Sequence, residues 1–174
     1  MSKGRLRHLS FSVPDPWASA EFYKAAFGLE IIGETDGEMA EGVYLSDGVI
    51  QIALLCFKTD AASQGTGKEY VGLHHIGFWV DNVEKACAAA KAAGASWVMG
   101  DVRDKGGFEV KYRDPDGVIM DITQTGWAGS QKSPGESDNV VAPRNRPYVD
   151  RFAARRERAK DEAARRRTRA LASD

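Results

Sequence analysis

The sequence reads HLSFSV at residues 8–13, and 67 residues further on it reads HIGFWV at residues 75–80. In both stretches apolar side chains alternate with polar or small ones, which is the period of a half-buried β-strand. Each stretch leads into a run with helical spacing that closes at a glycine, Gly28 in the first case and Gly94 in the second. Self-similarity of this kind indicates that one structural unit occurs twice in tandem.

A second pair of matching phrases extends the repeat, with DGVIQI at residues 47–52 and DGVIMDI at residues 116–122. We therefore predict one α+β domain at residues 1–127, with a β-α-β-β-β module at 5–57 and a second one at 73–124. If the two modules join into one curved sheet with the helices outside, the other face of that sheet lines a concave cavity.

Capping residues predict where the helices begin. Asp15 followed by Pro16 predicts the start of the first helix, because aspartate caps a helix and proline suits its first turn. Asp81 followed by Glu84 has the spacing of a capping box and predicts the start of the second helix. Residues 58–70 are rich in Thr, Ser, Gly and charged residues, so we predict a linker between the modules there.

Strand parity places four polar side chains on the face of the sheet that points away from the helices. His8 and His75 alternate with the apolar residues of the first strand in each module, and Gln51 and Asp121 do so in the last strand. Two imidazoles, a carboxylate and an amide oxygen form a mixed donor set that suits Ni, Co, Mn, Fe or Zn better than Ca. The sequence therefore predicts a site for a divalent metal on this face.

At these positions the chain resembles the vicinal oxygen chelate superfamily. That superfamily includes glyoxalase (lactoylglutathione lyase), methylmalonyl-CoA epimerase, fosfomycin-resistance enzymes, extradiol dioxygenases and bleomycin-binding proteins. The resemblance covers about residues 5–124 and rests on His8, on FY and GL at 22–23 and 28–29, on VIQI at 49–52, on HHIGF at 74–78 and on DPDGVIMD at 114–121.

The resemblance implies a curved, half-barrel mixed sheet and a metal site formed by His8, Gln51, His75 and Asp121. Most metal-dependent members carry glutamate at the position of Asp121, and aspartate is one methylene shorter, by roughly 1.5 Å. Gln51 together with HHI at 74–76 resembles the epimerase branch, whereas KGG at 105–107 resembles the lyase branch.

Two carboxylates, Asp121 and Glu109, are candidates for a catalytic base, with a bound hydroxide as the third. His74 has the opposite parity from His75, so we predict a structural role for it. Parity does not fix which face Glu109 occupies. The predicted substrate pocket consists of Ser10, Trp79, Tyr112 and Lys105.

These residues support three functions. We expect a metal-dependent isomerase, epimerase or lyase that chelates two oxygens of a small carbonyl or thioester substrate and stabilises an enediolate. The first alternative is an Fe(II) ring-cleaving dioxygenase, because His8, His75 and Asp121 without Gln51 form a two-histidine, one-carboxylate triad. The second alternative is a non-catalytic protein that binds a small molecule in a polar, metal-free pocket.

Charge separates the end of the chain from its body. Residues 144–174 carry 11 Lys and Arg against 5 Asp and Glu, while the rest carries 13 against 20. We predict a linker at 128–147 and a basic helical tail at 148–174 that docks on the acidic body or on a second subunit, rather than on nucleic acid.

The apolar content is ordinary for a soluble globular protein. No stretch has the length of a membrane span, and the N-terminus lacks an apolar secretion segment, so we expect a cytoplasmic protein with no membrane partner. Cys56 and Cys87 lack metal-ligand spacing and are expected to be reduced thiols. The resemblance implies a homodimer.

Overall fold

The computed structural model describes residues 3–102 and 109–132, and it confirms the predicted fold class. A β-α-β-β-β unit occurs twice, in the predicted order. The first unit consists of β1 (Arg5–Ser12), α1 (Pro16–Phe27), β2 (Glu30–Asp36), β3 (Ala40–Ser46) and β4 (Gln51–Phe57). The second consists of β5 (Gly72–Trp79), α2 (Val83–Ala92), β6 (Ser96–Met99), β7 (Val110–Arg113) and β8 (Ile119–Thr123).

The eight strands form one curved, unclosed mixed sheet in the order β2-β3-β4-β1-β5-β8-β7-β6. Within each unit the first strand runs parallel to the last, β1 beside β4 and β5 beside β8. Strands β1 and β5 pair antiparallel and join the two units at the centre of the sheet. The four predicted metal ligands therefore lie on four adjacent strands.

One face of the sheet packs against the helices. Beside α1, a cluster of buried residues includes Ala20, Val43, Leu45 and Leu54, with Phe11, Val13 and Ile52 packed around it. Beside α2, a second cluster consists of Val80, Cys87, Val110, Tyr112 and Ile122, with Met120 packed against it. Because side chains alternate along a strand, the residues between these apolar positions face away from the helices, as parity predicted.

The helix ends follow the predicted capping chemistry at α1 and depart from it at α2. Asp15 caps α1 by accepting hydrogen bonds from two backbone N–H groups, and Gly28 ends the helix with a φ of 71°. At α2 the capping residue is Asn82, whose side chain accepts from the backbone N–H of Lys85. The predicted capping role of Asp81 is wrong, because its carboxylate forms ion pairs with Arg5 and Lys132 instead.

Two bulges interrupt the pairing of β1 with β5. On β1 the extra residue is Arg7, and on β5 it is His74, which lies between the paired residues Leu73 and His75. A bulge re-aims a side chain relative to strict alternation. His74 is consequently buried next to His75, although its parity placed it on the other face.

After β8 the chain crosses the open face of the sheet, and we call residues 124–132 the cap segment. The backbone N–H of Gln131 donates to the carbonyl of Val49, and the hydroxyl of Ser46 donates to the carbonyl of Gly129. The cap segment thereby reaches from β8 to the far side of the ligand-bearing strands.

Some predicted features fall beyond the described ranges. Lys105, most of the linker predicted at 128–147 and the whole tail predicted at 148–174 lie outside the described residues. Neither helix within residues 3–102 and 109–132 is long and apolar enough to cross a membrane.

Candidate metal centre

The side chains of His8, His75 and Asp121 meet on the open face of the sheet. The Nε2 atoms of the two histidines are 3.2 Å apart, and Nε2 of His75 lies 3.2 Å from Oδ2 of Asp121. One donor atom from each residue lies within 4.8 Å of the other two, and all three residues are buried. Donors that share one ion at bond lengths of about 2.0–2.1 Å lie roughly 3 Å apart, so this spacing suits a metal.

The sheet register explains why these residues converge. His8 pairs with Gly77 across the β1–β5 ladder, and Gly77 in turn pairs with Asp121 across the β5–β8 ladder. Gly77 leaves the space between them clear of a side chain. A Cβ atom there would lie 2.7 Å from Cβ of His8 and 2.6 Å from the ring of Trp127. The side chain of Asp121 reaches the histidines from this register, with its carboxylate within 4.8 Å of their donor atoms.

A chain of hydrogen bonds fixes which nitrogen of His75 carries its proton. Nε2 of His74 lies 2.8 Å from the carbonyl oxygen of Ser63, which only accepts, so this nitrogen is the donor. In a neutral imidazole the other nitrogen is then an acceptor, and Nδ1 of His74 lies 2.7 Å from Nδ1 of His75. His75 therefore donates through Nδ1 and directs the lone pair of Nε2 at Asp121 and His8.

Burial keeps both ligand histidines neutral. It lowers the pKa of His8 from 6.5 to about 4, and the neighbouring His75 contributes to this shift. The pKa of His75 is lowered well below its usual value, first by burial and then by the positive charge of Lys111 and by His74. Neutral imidazoles are the form that binds metals, so both histidines are in the form that could bind an ion near neutral pH.

Asp121 supplies the negative charge of the centre. Its exposure is 0%, and its Oδ1 atom has no hydrogen-bond partner among the described residues. A buried carboxylate oxygen without a partner is unfavourable, and coordination to a cation relieves it. This orphaned oxygen, together with two neutral imidazoles, shows that the residues present fit a divalent metal.

The sequence analysis did not identify Lys111 as a site residue. Its Nζ lies 2.5 Å from Oδ2 of Asp121 and 2.9 Å from Oε1 of Glu109, and the residue is 7% exposed. Burial alone lowers the pKa of Lys111, but the charges of Glu109 and Asp121 outweigh burial and raise it. Because Val110 and Tyr112 face α2, parity along β7 would have placed Lys111 on the metal side.

The cap segment closes the centre from above. The ring of Trp127 stacks on the imidazole of His8 with centroids 4.9 Å apart, and its indole N–H donates to Oε2 of Glu109. The amide nitrogen of Gln51 donates to the carbonyl of Ala128. Trp127 is 3% exposed, so it separates the metal ligands from solvent in this conformation.

Comparison with known proteins identifies the family. The sequence profile of the Glyoxalase/Bleomycin resistance protein/Dioxygenase superfamily matches residues 5–122. The chain belongs to this superfamily. The resemblance inferred from the sequence is thereby confirmed. A comparison with curated proteins gives no match.

Several solved structures share the fold. A methylmalonyl-CoA epimerase variant from Streptomyces coelicolor, in complex with 2-nitronate-propionyl-CoA, is 22% identical with a TM-score of 0.57, covering 68% of this chain and 94% of that one. A hypothetical protein from Bacillus halodurans C-125 is 20% identical with a TM-score of 0.58, covering 77% and 99%. The methylmalonyl-CoA epimerase of Mycobacterium tuberculosis is 18% identical with a TM-score of 0.55, covering 68% and 85%.

Of the four ligands that the superfamily resemblance implies, three converge within coordination range of one another. The fourth, Gln51, is buried beside its ladder partner His8, and its amide nitrogen is held by the cap segment. Asp121 is one methylene shorter than the glutamate that most metal-dependent members carry at this position, and the structure nevertheless brings its carboxylate to the histidines.

Three of the residues predicted for the substrate pocket lie in three different environments. Ser10 pairs with His75 across the ladder, and its buried hydroxyl has no partner in the described part of the chain. Trp79 is 1% exposed and donates its indole N–H to the carbonyl of Gln124, so it supports the cap segment. Tyr112 packs with Cys87 on the helix side of the sheet, away from the metal ligands, because it alternates with Lys111.

Proposed function

We propose that this protein is a metal-dependent isomerase, epimerase or lyase that moves a proton on the carbon next to a carbonyl or thioester group. The convergence of His8, His75 and Asp121, with a lone pair of His75 aimed at the common point, carries this proposal. A divalent metal bound there would polarise the carbonyl oxygen of a substrate and acidify the neighbouring C–H bond. Ni, Co, Mn, Zn and Fe all suit the donor set.

We assign the proton transfer to Glu109. Asp121 would serve as a ligand of the metal, whereas Glu109 stands beside the three ligands and its side chain is 25% exposed. Lys111 holds one oxygen of Glu109 at 2.9 Å, and the indole of Trp127 holds the other at 3.2 Å. The contact with Lys111 does not depend on the position of Trp127, so it orients the carboxylate also when the ring moves, which favours its use as a base at a defined position.

The superfamily relatives supply the first substrate to test. Epimerases of methylmalonyl-CoA share the fold over 68% of this chain, and methylmalonyl-CoA, which one of them holds in its structure, is a thioester. Epimerisation needs a base that removes the α-proton and an electrophile at the carbonyl oxygen, and this chain offers Glu109 for the first role. A substrate reaches the ligands only when Trp127 moves aside.

Deuterium exchange at the α-carbon tests this proposal. Purified protein is incubated in D₂O with methylmalonyl-CoA, or with the hemithioacetal of methylglyoxal and glutathione, with and without Co²⁺ or Mn²⁺. We expect metal-dependent loss of the α-proton signal, abolished in His75→Ala and reduced at least about 100-fold in Glu109→Gln. Tyr112→Phe, which changes a residue on the helix side, is the matched control and should retain activity.

The same three ligands support an iron-dependent ring-cleaving dioxygenase as a second candidate. The two-histidine, one-carboxylate triad is the donor set of non-haem Fe(II) oxygenases, and it assembles here without Gln51. To test it, the protein is loaded with Fe(II) under anaerobic conditions and then mixed with catechol and oxygen, and oxygen consumption is measured. Consumption that depends on His75, without α-proton exchange, would replace the first candidate by the second. Ligand binding without either reaction would favour a non-catalytic binding protein.

A further inference from the structure

Lys111 is the one lysine that is buried within residues 3–102 and 109–132. It lies on β7 directly opposite Asp121 on β8, so the two side chains project from paired positions. Its ammonium nitrogen contacts Oδ2 of Asp121 at 2.5 Å, the same oxygen that lies 3.2 Å from Nε2 of His75. The ammonium group of Lys111 is therefore already bound to one oxygen of the carboxylate that a metal would use.

The charges around this point are few and nearly balanced. Asp121 and Glu109 each contribute one negative charge, Lys111 contributes one positive charge, and the two histidines are neutral. A divalent ion would leave the cluster with an excess of one positive charge, whereas without Lys111 the same ion would be neutralised. Like charges repel strongly where burial keeps water away, so the charge of Lys111 lowers the affinity of the site for a metal ion.

We propose that the ammonium group of Lys111 is a built-in cation that competes with a divalent metal for Asp121 and thereby weakens metal binding. This inference rests on the proposed metal centre. The opposite role is that Lys111 orients Asp121 for the metal, as a neighbour that holds a ligand commonly does. The two roles predict opposite signs, since removal of a competitor strengthens binding and removal of a support weakens it.

Metal affinity measured by calorimetry with Co²⁺ separates these roles. We expect Lys111→Met, which keeps the length and removes the charge, to bind Co²⁺ at least about tenfold more tightly than the unchanged protein. Lys111→Arg keeps the charge and should bind no more tightly than the unchanged protein. Lys85→Met, which removes an exposed lysine on α2, is the matched control. Equal or weaker binding by Lys111→Met would overturn the proposal.

The design distinguishes this inference from the proposed function. Binding that is lost in His75→Ala but not strengthened in Lys111→Met overturns the competition and leaves the metal centre standing. Absence of Co²⁺ binding in every protein, Lys111→Met included, overturns both.

A measurement on the unchanged protein covers the case in which Lys111→Met does not fold. The ¹H–¹⁵N signal of the Lys111 ammonium should be visible when two carboxylates hold it. We expect Zn²⁺ to abolish that signal with the same midpoint as metal binding, because an ammonium group displaced from Asp121 exchanges its protons with water faster. A signal that persists in the zinc-loaded protein, shifted or not, would overturn the proposal.

Discussion

The imidazole of His74 determines which ring nitrogen of His75 carries the proton. Their Nδ1 atoms lie 2.7 Å apart, and the carbonyl of Ser63 holds the other nitrogen of His74 at 2.8 Å. His74 reaches this place because a bulge in β5 turns it toward the metal side. A turn in the connecting segment at residues 58–70 thus sets the direction of a ligand lone pair.

Replacement of His74 by phenylalanine should weaken metal binding. The substitution removes the acceptor for the N–H of His75 while it retains a ring against Phe57, whose centroid lies 4.4 Å from that of His74. Loss of such an outer hydrogen bond lowers metal affinity by about 10–100-fold. Competition with a chromophoric chelator measures the change. Phe57→Leu, the control, alters the same packing without changing the hydrogen bonds. Equal affinities for His74→Phe and the unchanged protein would contradict the role of the hydrogen bond from His75 to His74.

The metal-free protein should lose stability as the pH falls from about 6.5 to 4. The pKa of His8 is lowered to about 4, so in this window the unfolded chain takes up a proton that the folded chain does not. His8 then lowers the free energy of unfolding by an amount on the order of 3 kcal/mol, and the effect levels off below the folded pKa.

Urea unfolding at a series of pH values checks this dependence. In His8→Phe, which keeps a ring stacked on Trp127, the slope between pH 6.5 and 4 should be shallower than in the unchanged protein, because one titrating group has been removed. Identical slopes for the two proteins would show that His8 takes up its proton in the folded state as easily as in the unfolded chain.

Removal of the Trp127 ring should open the metal centre. Trp127→Ala deletes the stacked partner of His8 and one hydrogen bond of Glu109, so a chelator should extract Co²⁺ faster, by about tenfold or more. Deletion of a buried tryptophan side chain also destabilises a protein by about 3–5 kcal/mol. Stopped-flow mixing with EDTA measures the extraction. Trp97, which is 62% exposed, provides the control variant Trp97→Ala. Unchanged extraction would show that the cap segment does not limit access.

The absence of a side chain at Gly77 is required for the stack of Trp127 on His8. In Gly77→Ala the new methyl group would meet the Trp127 ring at 2.6 Å and Cβ of His8 at 2.7 Å. Such overpacking destabilises a protein by about 1–3 kcal/mol, and denaturant unfolding measures it. At Gly37 the nearest atom to an added Cβ is 3.9 Å away, so Gly37→Ala should leave stability within about 0.5 kcal/mol. A similar result for both variants would contradict the packing described.

The sequence alone predicts the repeat and the shared face of His8, Gln51, His75 and Asp121 on their strands, because these depend on periods of two and 3.6 residues. It did not reveal that His74 shares the face of His75, because a bulge breaks the alternation on which parity depends. It also missed Lys111, since the facing of β7 becomes clear only from the packing of Val110 and Tyr112 on α2.

Contacts between distant segments account for the other differences. Trp127 lies beyond the last repeated phrase, so no internal pattern marks it, yet it stacks on a residue near the start of the chain. Asp81 has capping chemistry, but Arg5 and Lys132 approach it only in the folded chain, and Asn82 caps α2 instead. The homodimer and the docking of the basic tail stay predictions.

Anomalous diffraction from crystals of the cobalt-loaded protein tests the central claim most directly. The account predicts one strong cobalt peak bonded at about 2.0–2.2 Å to Nε2 of His8, Nε2 of His75 and a carboxylate oxygen of Asp121. A cobalt peak bound elsewhere on a protein with this fold, or no peak after loading at millimolar cobalt, would contradict it.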